Sequence, residues 1–316
     1  MTLLISHPSF LEHDTGDFHP ERPDRLRAIE AALADDEFAA LTHIVAPEAT
    51  MEQLTRVHPP AYVEAILGVR PRPGELVHVD GDTVMSAGSA VAARHAAGAA
   101  VAAVDGVMHG APGGKHGTAF AAVRPPGHHA TPDVPGGFCL FNNVAVGALH
   151  ARAVHGVQRV AIIDFDVHHG QGTQAVVEPD PDLFYASTHQ QAIYPGTGSA
   201  RERGVAGNVA NVPLGAGSGS EEFRTAWGDR LLPALDGFGP GLVIVSAGFD
   251  AHRSDPLAQL EVETEDFAWL TRELLAIARR HCGGRLVSVL EGGYDLAALA
   301  DSVSAHVAAL MRSDAD

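Results

Sequence analysis

Short apolar runs alternate along the chain with longer stretches in which apolar positions recur three and four residues apart. The short runs mark strands buried on both faces, and the longer stretches mark helices with one buried stripe. Strands are expected just after Met1 and at Thr118–Val123, Val160–Phe165, Leu183–Ser187, Leu242–Ser246 and Leu286–Leu290. Helices are expected at about Leu26–Leu33, over the alanine-rich Ala87–Val107, from about Asn143, after Gly172, at about Glu222–Leu235, at Thr264–His281 and at Leu296–Met311. A strand-then-helix rhythm of this kind builds a parallel sheet covered on both faces. Such sheets bind ligands outside the carboxyl ends of their strands.

Chemically reactive residues gather at those ends. Arg124-Pro125-Pro126-Gly127-His128-His129 follows one strand and Asp164-Phe165-Asp166-Val167-His168-His169-Gly170-Gln171 closes the next. Ser187-Thr188-His189, Phe249-Asp250 and Glu291-Gly292-Gly293-Tyr294-Asp295 end three more. Gly113–Gly117 and Pro213–Ser220 read as surface loops, and His7, His13, His19, His58, His189 and His252 as loop or rim residues without a role. No repeat, low-complexity tail or linker divides the chain, so one domain over residues 1–316 is expected.

Composition narrows the function classes. Hydrophobic residues make up 46% of the chain, yet no apolar run approaches the roughly 18 residues that a membrane span needs. The first residues lack a basic stretch and are broken by Pro8, which argues against a signal peptide. Cys139 and Cys282 are the only cysteines, too few for a disulfide framework, so a reduced cytoplasmic setting is expected. A net charge of −18 argues against DNA or RNA as a partner, since a phosphate backbone calls for a basic patch. It favours cationic ligands, weakly.

Asp166 and His168 stand two apart where a strand should end, and alternation along a strand would turn both to one face. Asp250, at the end of another apolar run, can complete a three-ligand set. Two carboxylates and an imidazole with an open position suit a single catalytic zinc ion, which polarises a carbonyl and acidifies water. Such a ligand set leaves the ion nearly neutral, so a separate general base is expected from the His128-His129 pair, with Asp164 orienting one imidazole. Tyr294, beside Gly292 and Gly293, is placed to donate its O–H to an oxyanion.

The motifs RPPGHH, GFCLFNN, DFDVHHGQGT, SAGFDAH and EGGYD, in this order over most of the chain, resemble the zinc-dependent histone deacetylase superfamily, nearest its bacterial and class II members. The resemblance implies an arginase/deacetylase-like three-layer α/β/α sandwich on a mainly parallel eight-stranded sheet, and hydrolysis of an acetylated amine. It makes Asp166, His168 and Asp250 the ligands of one zinc ion per chain, His129 the general base and acid, His128 its partner paired to Asp164, and Tyr294 the oxyanion donor. A structural or regulatory potassium ion is implied beside the zinc, at Asp164, Asp166, His168, Ser187 and Thr188. Phe138, with Gly137, matches one wall of an acyl-lysine tunnel, and Tyr194 stands where the other wall is usually Phe. Asp82 resembles a rim carboxylate, Arg25 an arginine near an internal channel, and Leu257, Gly292 and Gly293 fall among the substrate-binding positions.

Two departures bear on chemistry. Gln171 replaces the Asp that pairs with the second histidine in class I enzymes, so His129 should be less basic. Tyr194 adds a hydroxyl to the tunnel. A dimanganese ureohydrolase of the arginase type would need carboxylates where this chain has Gly170 and His252, which disfavours it. Acetylpolyamine amidohydrolases of the eukaryotic type carry a Glu after the Asp-Pro that here precedes Leu257, which favours an acetyl-lysine-like or small amide substrate. A non-catalytic acyl-lysine binder is disfavoured because every catalytic position is filled. The expected partners are a small-molecule or peptide acyl amine, with no nucleic acid and no membrane; self-association stays open.

Overall fold

The computed structural model describes residues 1–109 and 117–312. The expected loop at Gly113–Gly117 lies outside them, apart from Gly117. Among the described residues ten strands run in chain order: β1 (Thr2–Ser6), β2 (Thr42–Val45), β3 (Val77–His78), β4 (Val84–Met85), β5 (Thr118–Ala121), β6 (Val160–Asp164), β7 (Leu183–Gln190), β8 (Val209–Leu214), β9 (Leu242–Ala247) and β10 (Leu286–Leu290). The main helices are α1 (Asp24–Ala32), α2 (Met51–Thr55), α3 (Pro60–Gly68), α4 (Ser89–His109), α5 (Asn143–His155), α6 (Gln171–Val177), α7 (Ser220–Ala226), α8 (Leu232–Phe238), α9 (Thr264–Cys282) and α10 (Leu296–Met311).

Eight strands form one sheet in the order β2-β1-β5-β10-β9-β6-β7-β8, and every pairing in it is parallel. β5, β6, β9 and β10 are buried at every position, as parallel strands covered on both faces must be. The alanine-rich α4 packs on α5 over one face, while α9 and α10 pack together elsewhere. Small side chains let α4 approach closely: a Cβ on Gly98 would strike the backbone of Pro47 and Ala49.

Four strands are absent from the sequence reading: β3 and β4, a short antiparallel pair apart from the main sheet, and β2 and β8, the outermost strands of the main sheet. β2 is exposed at three of its four positions, so it carries no buried run. β8 contains Pro213, which sits opposite His189; an edge strand tolerates proline because one side needs no donor. Pro213 and Leu214 are therefore strand residues and not loop. The helix expected at Glu222–Leu235 spans α7 and α8, joined by a wider π-type turn at Trp227–Leu231. Pro233 lies just beyond that turn, where a missing N–H would otherwise interrupt the helical ladder.

Candidate metal centre and active site

β5, β10, β9, β6 and β7 are five consecutive neighbours at the middle of the sheet, and the five chemically loaded motifs leave from their carboxyl ends. Asp166, His168 and Asp250 converge there, with one potential ligand atom from each inside a 4.8 Å span. His168 Nδ1 stands 3.1 Å from Asp166 Oδ1 and 3.2 Å from Asp250 Oδ2. The convergence is not produced by strand pleating, because β6 ends at Asp164. Asp166 instead folds the chain around itself, its Oδ1 accepting the His168 N–H at 2.8 Å in an aspartate turn.

The remaining carboxylate oxygens are held by backbone. Asp166 Oδ2 accepts from Gly292 N at 2.8 Å, and Asp250 Oδ1 from Val167 N at 2.8 Å. A Cβ on Gly292 would strike Asp250 Oδ2 and Asp166 Oδ2, so only glycine lets β10 close this cradle. Two oriented carboxylates and an imidazole nitrogen form an N/O donor set that suits zinc. Burial by itself would lower the pKa of His168, but Asp166 and Asp250 hold it up, at about 10. Two buried carboxylates around one imidazole leave negative charge in excess, which is the electrostatic signature of a place for a cation.

The histidine pair is polarised in opposite directions. His128 donates from Nδ1 to Asp164 Oδ2 at 3.0 Å, and Tyr185 O–H donates to the same oxygen at 2.9 Å. Burial opposes the charge on His128, yet Asp164 and Asp166 raise its pKa well above the ordinary value. His129 donates from Nδ1 to Gln171 Oε1 at 2.7 Å. Burial, then the charges of His128 and His168, push its pKa well below the ordinary value. The rings lie 4.0 Å apart between centroids, so one charged and one neutral imidazole stand side by side, both Nε2 atoms being free of these Nδ1 partners.

Above them is a cavity of about 230 Å³. His128, His129, His168 and Tyr294 line it, as do Asp82, Gly137, Phe138, Tyr194, Leu257 and Gly292. Pro126 and Ile193 line it too and were not anticipated. Gly293 does not line it: at φ 123° it makes the turn behind, where a Cβ would meet Leu299 and Phe249. Its placement among substrate-binding residues is corrected to a backbone role. Phe138 holds a φ of 69°, unusual for a bulky residue, with its N–H on Thr83 Oγ1 at 3.1 Å. Its ring meets His19 at 4.6 Å and Tyr294 at 6.0 Å. Tyr194 stands edge-on to His129 at 4.9 Å and is 41% exposed, which places it at the mouth.

Tyr294 receives a fixed backbone position from Asp255, whose Oδ2 accepts its N–H at 2.8 Å. Burial and Asp250 drive the phenol pKa well above its ordinary value, so the hydroxyl keeps its proton and can donate. Arg25 lies fully buried beneath, donating to Gly293 O at 2.6 Å and Glu291 O at 2.5 Å, with its guanidinium 5.0 Å from the Tyr294 ring centre. Of the residues expected around a potassium ion, Asp164 and Ser187 are register partners across β6 and β7, and Thr188 is buried with its hydroxyl accepting from Trp227.

Several residues of this floor escaped the sequence reading. Glu21 is buried between Arg25 and Arg124, and His13, His58 and His189, expected on loops or the rim, are buried. Glu291 opens the EGGYD motif and Asp255 follows SAGFDAH, but Glu291 takes its partners from the segment after β5 and from β9, and Asp255 holds Tyr294 beyond β10.

Among the described residues a second grouping of metal-type ligands occurs, Asp105, His150 and His155 on α4 and α5. Arg56, always a donor, lies 3.0 Å from His150 Nδ1. That fixes the proton on Nε2, which donates to Asp105 Oδ1 at 2.7 Å. The trio is a hydrogen-bonded clamp between helices.

The histone deacetylase domain family matches residues 19–310. Histone deacetylase 14, chloroplastic, of Arabidopsis thaliana is 38% identical over 99% of this chain and 77% of that protein. The histone deacetylase-like amidohydrolase of Pseudomonas aeruginosa is 40% identical over 87% of this chain and 72% of that protein. The crystal structure of the HDA15 HD domain superposes with a TM-score of 0.90 at 37% identity, covering 98% of this chain and 88% of that one.

Proposed function

Because the chain belongs to the histone deacetylase family, we propose that it is a zinc-dependent amidohydrolase, cleaving an N-acyl amine to carboxylate and free amine. The observation that carries this reading is the meeting of Asp166, His168 and Asp250 with a split-charge histidine pair and a protonated tyrosine at one cavity floor. Asp166, His168 and Asp250 would hold the zinc ion, which when bound would supply Lewis-acid polarisation of the scissile carbonyl and a lowered pKa for water beside it.

The chain's own residues do the proton work. Neutral His129 takes the proton of the attacking water at Nε2, with its ring fixed by Gln171. His128, charged and anchored to Asp164, stabilises the negative charge that develops beside it. Tyr294 O–H donates to the oxyanion as the carbonyl becomes tetrahedral. The imidazole that gained the proton returns it to the leaving nitrogen, so the C–N bond breaks to an amine. A potassium ion at the Asp164–Ser187 strand ends would stiffen the segment carrying two zinc ligands.

The substrate we assign is acetyl-lysine-like or a small amide. Support comes from a cavity lined by Phe138, Tyr194, Leu257 and Asp82, with Tyr194 and Leu257 at its exposed end. No helix among the described residues is long and apolar enough to cross a membrane. We infer a reduced, cytoplasmic setting from the cysteine count, two being too few for a disulfide framework. We read residues 1–316 as one catalytic domain without nucleic-acid or membrane partners. A panel of an acetyl-lysine peptide, acetylated putrescine, trifluoroacetyl-lysine and a simple anilide tests the assignment. Turnover of the lysine or anilide substrates is expected; preference for the polyamine would transfer it to the acetylpolyamine class, and turnover of none would overturn it.

A further inference from the structure

Glu291 is completely buried, one residue beyond β10, and plays no part in the chemistry above. Its Oε2 accepts two successive backbone N–H groups, Gly127 N at 2.7 Å and His128 N at 3.1 Å. Its Oε1 accepts the Ser246 hydroxyl of β9 at 3.0 Å. Its own backbone is pinned on both sides, N–H to Ala247 O at 2.9 Å and O to Arg25. One side chain thus ties the ends of β10 and β9 to the segment that follows β5.

That segment has no regular structure to satisfy its amides. Arg124 to Ala130 is buried throughout, and a buried N–H without an acceptor costs about 1–3 kcal/mol. Two consecutive N–H groups pointing at one place require an acceptor with spare lone pairs, which a carboxylate oxygen has. From there the two imidazoles hang directly: His128 on the fixed amide and His129 next to it. Opposite, the His128 carbonyl accepts Thr173 N at 3.1 Å, so the segment is gripped from both sides.

We propose that Glu291 is a positioning residue for the histidine pair, holding the Gly127–His128 backbone so that both rings keep their register with Asp164 and Gln171. Reach matters: an aspartate would fall short by one C–C bond, about 1.5 Å. An amide would not, since a glutamine oxygen can accept both N–H groups while its nitrogen donates to Ser246. Burial raises the Glu291 carboxyl to about 7, so glutamine is also a fair stand-in for its protonated form.

Glu291→Ala, Glu291→Asp and Glu291→Gln decide the point in the metal-loaded protein. The alanine and aspartate variants are expected to lose about 100-fold in kcat, with KM and metal stoichiometry close to the parent. The glutamine variant should lose no more than about threefold. Hydrogen exchange of a peptide spanning residues 124–130 should accelerate in the first two and stay slow in the third. Parental kcat in either shortened variant, unchanged exchange of that peptide, or equal damage from glutamine and alanine would each overturn the proposal. If the alanine variant fails to fold, the aspartate and glutamine pair carries the same comparison. The kinetic arm rests on the amide-hydrolase reading; the exchange arm does not, so a parent that turns over no acyl amine would refute that reading and leave this one to be decided by exchange.

Discussion

Gln171 grips His129 twice: its Oε1 accepts from the imidazole Nδ1 at 2.7 Å, and its Nε2 donates to the His129 backbone oxygen at 3.2 Å. The imidazole is therefore oriented by a neutral group, while its neighbour His128 is oriented by the Asp164 carboxylate. The same two rings in the same fold are separated in basicity by what stands behind each. A carboxylate behind His129 would favour its charged form. Gln171→Glu, which keeps the side-chain length, should shift the acid limb of the kcat/KM profile to higher pH by at least about one unit, because a base with a raised pKa is lost earlier as pH falls. An unmoved limb would mean that His129 is not the group that limits activity in acid.

Tyr294→Phe removes one hydroxyl and leaves the backbone tie to Asp255 untouched. It should bind metal as the parent does and lose roughly 100- to 1000-fold in kcat, the usual cost of one oxyanion donor. Parental turnover by the metal-replete variant would remove Tyr294 from the chemistry.

His168→Ala leaves Asp166 and Asp250 facing each other without the imidazole between them. Burial and Asp166 already raise the Asp250 carboxyl, so the pair will share a proton in preference to holding an ion. Elemental analysis should find less than about a tenth of the parent's zinc. In the parent, a chelator should abolish hydrolysis and added zinc should restore it. Stoichiometric zinc in the variant would take His168 out of the ligand set.

His306 lies in the core between Thr271 and Ser288, and burial lowers its pKa to about 3. The unfolded chain binds this proton near the ordinary value of 6.5, whereas the folded chain resists it. Stability contributed by the neutral form is complete above pH 6.5 and is lost as pH falls from there toward about 3. Burial pushes His58 and His189 the same way, to about 4 and about 3. The melting temperature should fall steeply between about pH 6.5 and about pH 4.5, and His306→Gln should flatten part of that slope. An identical slope in the variant would show that other groups carry the acid sensitivity.

The sequence by itself determined the parallel sheet, the strand ends that carry chemistry, and the residue types of the metal set, because these are local. An apolar run specifies a strand buried on both faces, and an Asp two residues before a His at its end can fold the chain onto one point without help from elsewhere. It missed β2 and β8 because edge strands lack the buried run that makes a strand visible, one being mostly exposed and the other tolerating Pro213. Tertiary structure alone decided that the five loaded strands are neighbours. It also decided that Glu291 would hold the loop of His128, that Asp255 would hold Tyr294, and that Glu21 would sit between two arginines. Those partners are separated by 163, 39 and 103 positions in the last case of Arg124. No spacing rule reaches so far: a buried carboxylate finds its donors only after strand order has brought them within a hydrogen bond's length.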